Sequence, residues 1–132
     1  MILLDTHAAI WFTTDAGLGK RSQAMADKAL ADSRLAISAV SFWEVAMLIA
    51  KRRLRSLDSA IELRQQMLDS GITEVPVTGD IAILAGNLDG LHGDPADRFI
   101  AATAIAHRAT LVTADAVLLR WRHKLRRQDA EK

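Results

Sequence analysis

The sequence predicts an α/β domain whose helices cover both faces of a central parallel sheet of about four strands. Short runs at residues 2–4, 35–38, 72–77 and 111–113 have the length and apolar character of buried strands. The stretches between them carry apolar residues at helical spacing, so strands and helices alternate along the chain. The chain has 132 residues, half of them hydrophobic, which is enough for one domain, 1–132, with a core that needs no covalent staple.

In chain order, Ile2-Leu3-Leu4 is a strand that ends at Asp5, and residues 6–12 follow as a short helix. A loop with Gly17 and Gly19 leads into a helix over 20–31, with Ala24, Met25, Ala29 and Leu30 as its apolar positions. The second strand is 35–38, and Ser41 opens a helix that runs to about 53. Another helix spans 57–69, stopped by Gly71, before the third strand at 72–77. A helix over 80–88 precedes Asp94-Pro95-Ala96-Asp97, which reads as a helix start: Asp94 as N-cap, Pro95 as the first helical residue and Asp97 on the positive end of the dipole. That helix spans 95–108. The fourth strand, 111–113, ends near Asp115, and a last helix over 116–126 places Leu118, Trp121 and Leu125 at helical spacing.

Composition removes several function classes. There is no cysteine, so neither a disulfide framework nor a thiolate metal site is available. That suits a reducing cytoplasm, the expected location. The N-terminus lacks the basic segment of a signal peptide, and no apolar run reaches the length of a membrane span. The histidines, His7, His92, His107 and His123, are never three or four apart, so a helical zinc pair is missing. Gly17-Leu18-Gly19-Lys20 lacks the full phosphate-loop spacing and follows no strand. No serine occupies a G-x-S-x-G elbow. Net charge of +1 decides nothing, but basic residues cluster at Lys51, Arg52, Arg53 and Arg55 and again at Arg120, Arg122, Lys124, Arg126 and Arg127. The first cluster suits a solvated helix C-terminus. The second, with Trp121, suits either phosphate and base contacts or solvent.

The acids are distributed more tellingly. Asp5 is the only formally charged residue among 1–14, Glu44 among 35–50 and Asp115 among 110–119, in a chain with 25% charged residues. Carboxylates in such apolar surroundings need compensation, and a metal ion is one source. Asp5 and Asp115 each follow a strand, and ligands of open parallel sheets sit beyond the carboxyl ends of strands. Asp97 and Glu44 each lie one turn into a helix, and helices that follow strands start at that same edge. Hard oxygen donors without cysteine or paired histidine select Mg²⁺ or Mn²⁺, and such a cluster suits phosphodiester hydrolysis. Structural readings stand beside these. Ser41 and Glu44 form S-x-x-E, a capping box. Asp5, Asp94 and Asp115 are each placed to cap a helix, and for Asp94 capping is the preferred role.

Together, "ILLDTH", "ISAVSFWEVAML", "DPADRFIAATA" and "LVTAD" resemble the PIN-domain ribonucleases, and among them the VapC-type toxins of bacterial toxin–antitoxin pairs. The resemblance spans nearly the whole chain in the family's order. It implies a three-layer PIN-like fold and a Mg²⁺- or Mn²⁺-dependent endoribonuclease with one or two ions per site. The family's acidic positions fall on Asp5, Glu44, Asp97 and Asp115. A metal-activated water would attack an RNA phosphodiester in line, leaving 5′-phosphate and 3′-hydroxyl ends. Thr6 and Thr113 match positions that support the carboxylates by hydrogen bonds, and Arg98 is placed to touch phosphate or a neighbouring acid. The resemblance also implies an RNA substrate, an antitoxin partner and a homodimer. An antitoxin face would use helix positions such as Trp43, Met47, Ile61 and Met67, most of which are expected in the core. One departure is the tail "RWRHKLRRQDAEK", which has no apolar run for the fifth strand that many members carry.

Other classes remain to be weighed. The same acids would serve a DNA nuclease or a phosphatase. A phospho-accepting receiver or a non-catalytic cation-binding module is a further alternative. A receiver calls for an acid pair after its first strand and a lysine after a late one, and neither is present at Asp5 or at Thr113-Ala114-Asp115.

Overall fold

The computed structural model describes residues 1–52, 59–91 and 93–132. The elements are β1 (Ile2–Leu4), α1 (Thr6–Thr14), α2 (Lys20–Ala31), β2 (Leu35–Ser38), α3 (Val40–Ala50), α4 (Ala60–Asp69), β3 (Thr73–Val75), α5 (Gly79–Asn87), α6 (Pro95–Ala106), β4 (Thr110–Thr113), α7 (Ala116–Arg120) and β5 (Arg127–Asp129). Arg53 and Arg55, the predicted helix start at 57, and His92 lie outside the described residues.

The sheet has five strands in the order β3-β2-β1-β4-β5, and every neighbouring pair is parallel. Alternate strand residues feed opposite faces, as the pleat requires. Leu3, Ala36 and Leu111 join Ile100, Ala101 and Leu118 in the core under α5, α6 and α7. Leu4, Ile37 and Val112 join Ala8, Ala26, Val45 and Met67 in the core on the other face. Strands buried on both faces read as continuous apolar runs, which is why β1, β2 and β4 were legible in the sequence.

The sheet winds outward from β1 in both directions, through β2 and β3 on one side and β4 and β5 on the other. The switch point therefore lies between β1 and β4, where the carboxyl ends of these strands open a crevice. Asp5 directly follows β1, and Asp115 lies two residues beyond β4.

The C-terminus corrects the four-strand expectation. Arg127–Asp129 pairs with β4, Leu111 opposite Arg127 and Thr113 opposite Asp129. This strand holds no apolar residue because it lies at a sheet edge. Backbone pairing and local polar contacts hold it instead. The Arg127 guanidinium donates to the carbonyls of Leu118 (2.6 Å), Trp121 (2.7 Å) and His123 (2.8 Å). Ser22 Oγ donates to Asp129 O at 2.7 Å, and Gly19 N–H to Ala130 O at 2.8 Å. The tail passes so close to Gly19 that a Cβ there would lie 2.3 Å from the Lys132 carbonyl carbon. The glycine pair of the 17–20 stretch thus has a packing reason at its second member.

The last helix is also shorter than its apolar spacing predicts, ending at Arg120. Trp121 and Leu125 are buried as expected, but they reach the core from irregular backbone. Trp121 is extended, its indole N–H donates to Asp89 O at 2.9 Å, and its ring stacks on His123 with centroids 4.4 Å apart. Of the helix positions considered for an antitoxin face, Met67 is buried and Met47 half-buried, whereas Trp43 is 50% and Ile61 82% exposed. Those two are not core residues.

Candidate functional site

Asp5, Glu44, Asp97 and Asp115 line one cleft of about 380 Å³ at the switch point, with Asp94, Thr6, His7, Trp11, Leu48 and Ala114. Residues separated by as many as 110 positions meet because β1 and β4 are neighbours and α3 and α6 pack together at the same edge.

Asp5 is held most firmly. It caps α1, Oδ1 accepting from Ala8 N–H at 2.8 Å, and its Oδ2 accepts the hydroxyl of buried Thr113. Burial raises its pKa, an effect that Thr113, Ala8 and His7 oppose and that Glu44 reinforces. Asp115 caps α7, with Oδ1 accepting from Val117 N–H at 2.8 Å and Leu118 N–H at 3.0 Å. Its own N–H donates to Thr113 Oγ1 at 3.0 Å. Thr113 therefore ties the two acids together. Asp94 caps α6 through Ala96 N–H at 3.0 Å, as expected. It also lines the cleft.

Asp97 sits at the third position of α6, half-buried. Burial, then the charges of Asp115, Glu44, Asp94 and Asp5, push its pKa up to about 7. Glu44 is half-buried on α3. The capping-box explanation for it does not hold. Ala39, not Ser41, is the N-cap of α3, and the first helical N–H, that of Val40, donates to Ser38 Oγ at 3.2 Å. Ser41 is instead buried, accepting a hydrogen bond from Thr6 Oγ1 at 2.9 Å.

The donor set suits a hard divalent cation. It consists of carboxylates, and no lysine or arginine is among the described lining residues to offset them. Asp97 carries the cost of that repulsion. Among the described residues, no three His, Cys, Asp or Glu side chains already close around one point. Mg²⁺ keeps several waters and takes only one or two carboxylates directly, so an open set of this kind fits it better than a cation that needs an all-protein cage.

The PIN domain model matches residues 2–124. This chain belongs to the PIN-domain family. It is 35% identical over 124 residues to ribonuclease VapC22 of Mycobacterium tuberculosis, covering 92% of each chain. Its fold is similar to that of DNA-bound VapBC from Salmonella typhimurium, with a TM-score of 0.71, 17% identity and 98% of each chain covered. A toxin–antitoxin complex from Klebsiella pneumoniae is also similar, with a TM-score of 0.55, 27% identity and 87% of each chain covered.

In this PIN domain the side chains of Thr6 and Arg98 hydrogen-bond to groups other than the acids. Arg98 does not face the acids. Its guanidinium is spent on backbone carbonyls of Ala85 (2.9 Å), Leu91 (2.5 Å), Leu88 (2.8 Å) and Gly86 (3.3 Å), which end α5 and the turn after it. A planar donor fork matches such a set of carbonyls, and the helix end favours its charge. Thr6 serves Ser41 rather than a carboxylate. His7, Trp11 and Leu48 of the lining were not singled out from the sequence. The i, i+4 spacing of His7 and Trp11, directly after Asp5, is the signal that would have found them.

Proposed function

We propose that this protein is the toxin of a toxin–antitoxin pair, a Mg²⁺- or Mn²⁺-dependent endoribonuclease. The observation that carries the reading is the convergence of Asp5, Glu44, Asp97 and Asp115 on a cleft whose described lining holds no lysine or arginine. The ribonuclease name of the Mycobacterium relative and the toxin–antitoxin composition of the similar complexes support it.

One or two ions would be held by these four acids, and would supply charge neutralisation at the phosphate and a more acidic, oriented water. The protein's part is placement. Asp5, locked by Thr113 and Ala8, and Asp115, locked by the start of α7, offer oxygens of fixed direction. Asp97 and Glu44 complete the set from the opposite helices. Burial, and after it the neighbouring acids, hold the Asp97 pKa near 7, and a bound cation would favour its ionised form. The proposed partners are RNA, a cognate antitoxin and a second copy of the chain, and the proposed compartment is the cytoplasm.

The test is cleavage of total cellular RNA by purified protein with Mg²⁺, with Mn²⁺ and with EDTA, beside Asp97→Asn. Cutting that needs metal and disappears in the variant is expected, with 5′-phosphate ends. DNA and p-nitrophenyl phosphate run in parallel. Preference for either would replace the RNA reading with a DNA nuclease or a phosphatase.

A further inference from the structure

The cleft contains two aromatic side chains that the metal chemistry does not use. His7 and Trp11 lie one turn apart on α1, and both line the cleft beside the acids. Their ring centroids are 6.4 Å apart, tilted at 57°. His7 is exposed and Trp11 half-buried.

The indole is fixed in position. Part of Trp11 packs on the core beneath α1. Gly17, at φ +112°, lies against the ring, and a Cβ there would come within 3.3 Å of Trp11 Cδ2. The Trp11 carbonyl accepts N–H groups from Asp15 and Ala16, which ties the helix end to the same loop. Yet the indole N–H has no hydrogen-bond partner among the described residues, unlike that of Trp121, which donates to Asp89 O. A rigid, amphipathic ring with an uncommitted donor therefore borders the acids.

The charge of the cleft gives this ring a purpose. Protein–RNA affinity usually rests on Lys and Arg contacts to phosphate. None is in the described lining here, so the proposed cations at the acids would be the one source of positive charge for the strand among those lining residues. Further affinity beside the acids is available from the bases, whose faces stack on aromatic side chains whatever their sequence.

We propose that Trp11 and His7 form a stacking platform for the RNA base next to the phosphate being cut. This rests on the ribonuclease reading above, and the experiment separates the two. The probes are a labelled ten-nucleotide single-stranded RNA of mixed sequence and an equally long RNA with every base removed, titrated with Ca²⁺ in place of Mg²⁺. We expect the wild-type protein to bind the intact strand about tenfold more tightly than the base-free one. Trp11→Ala should remove about that factor for the intact strand only, and Trp11→Phe, which keeps an aromatic face, should retain most of it. His7→Ala, at an exposed position, should give a smaller loss. A thermal melt checks that Trp11→Ala is folded, and base removal from the probe needs no variant.

Mg²⁺-dependent cleavage by the same proteins should show KM raised in Trp11→Ala with kcat largely kept. Equal affinity of the wild type for the two strands, including failure to bind either, overturns the platform. So does Trp11→Ala with unchanged KM, while cutting by the wild type leaves the nuclease reading intact. Base-dependent binding through Trp11 without any cutting upholds the platform as a binding site and removes the nuclease reading.

Discussion

Thr113, the last residue of β4, donates its hydroxyl to Oδ2 of Asp5 across the β1–β4 junction, 108 residues away in sequence. Thr113 Oγ1 in turn accepts the N–H of Asp115 at 3.0 Å. One buried hydroxyl thus sets the direction of one acid and the backbone of another. Thr113→Val keeps the shape and removes both bonds. Buried groups left unpartnered cost about 1–3 kcal/mol, so the urea midpoint should fall accordingly. Thr113 also holds the Asp5 pKa down against burial. Its loss should therefore weaken Mg²⁺ binding, read by calorimetric titration.

The crowding around Asp97 makes the metal-free protein sensitive to pH. Its folded pKa is about 7 against an ordinary 3.8, so the folded state holds the proton more tightly than the unfolded one. Stability from this group is fully present below about pH 4 and is lost as pH rises through 7. With EDTA present, wild-type Tm should fall across that window more steeply than the Tm of Asp97→Asn. Above pH 7 the variant should melt higher than the wild type by a few degrees. Mg²⁺ should raise the wild-type Tm and leave the variant nearly unmoved. A variant that melts lower than wild type in EDTA at pH 8 would contradict the assigned cost of burying the ionised carboxylate beside other acids.

Arg98 is a structural clamp in this reading. Arg98→Met strands the carbonyls at the end of α5 and should cost about 2–4 kcal/mol in urea unfolding. Cleavage measured well below the melting temperature should persist, because no nitrogen of Arg98 contacts the acids. Loss of cleavage at full foldedness would return Arg98 to the site.

The C-terminal edge gives a fourth expectation. Removing residues 127–132 deletes β5, the Arg127 contacts at the end of α7 and the tail's bonds to Gly19, Arg21 and Ser22. It also bares β4 as an edge, and uncovered apolar edges pair with other chains. The truncated protein should melt lower and aggregate on concentration, seen by light scattering. The single change Arg127→Ala should show a milder form of the same loss.

The sequence by itself determined the central strands and the four acids. Both signals are strong for one physical reason: burial is costly for the wrong residue, so β1, β2 and β4 read as apolar runs and isolated carboxylates stand out within apolar stretches. What tertiary structure alone decided is how polar groups are spent. Ser41 looked like a cap for its helix and became a partner of Thr6. Arg98, next to a site acid, turned to the carbonyls of α5. Arg127-Gln128-Asp129 became a strand because β4 offered an unpaired edge. Hydrogen bonds carry little trace of their partner's position along the chain, since a hydroxyl or guanidinium is satisfied by any acceptor that the fold brings near. That is also why the sequence singled out Asp5 as a candidate ligand but left unnoticed the cleft-lining indole one helix turn beyond His7.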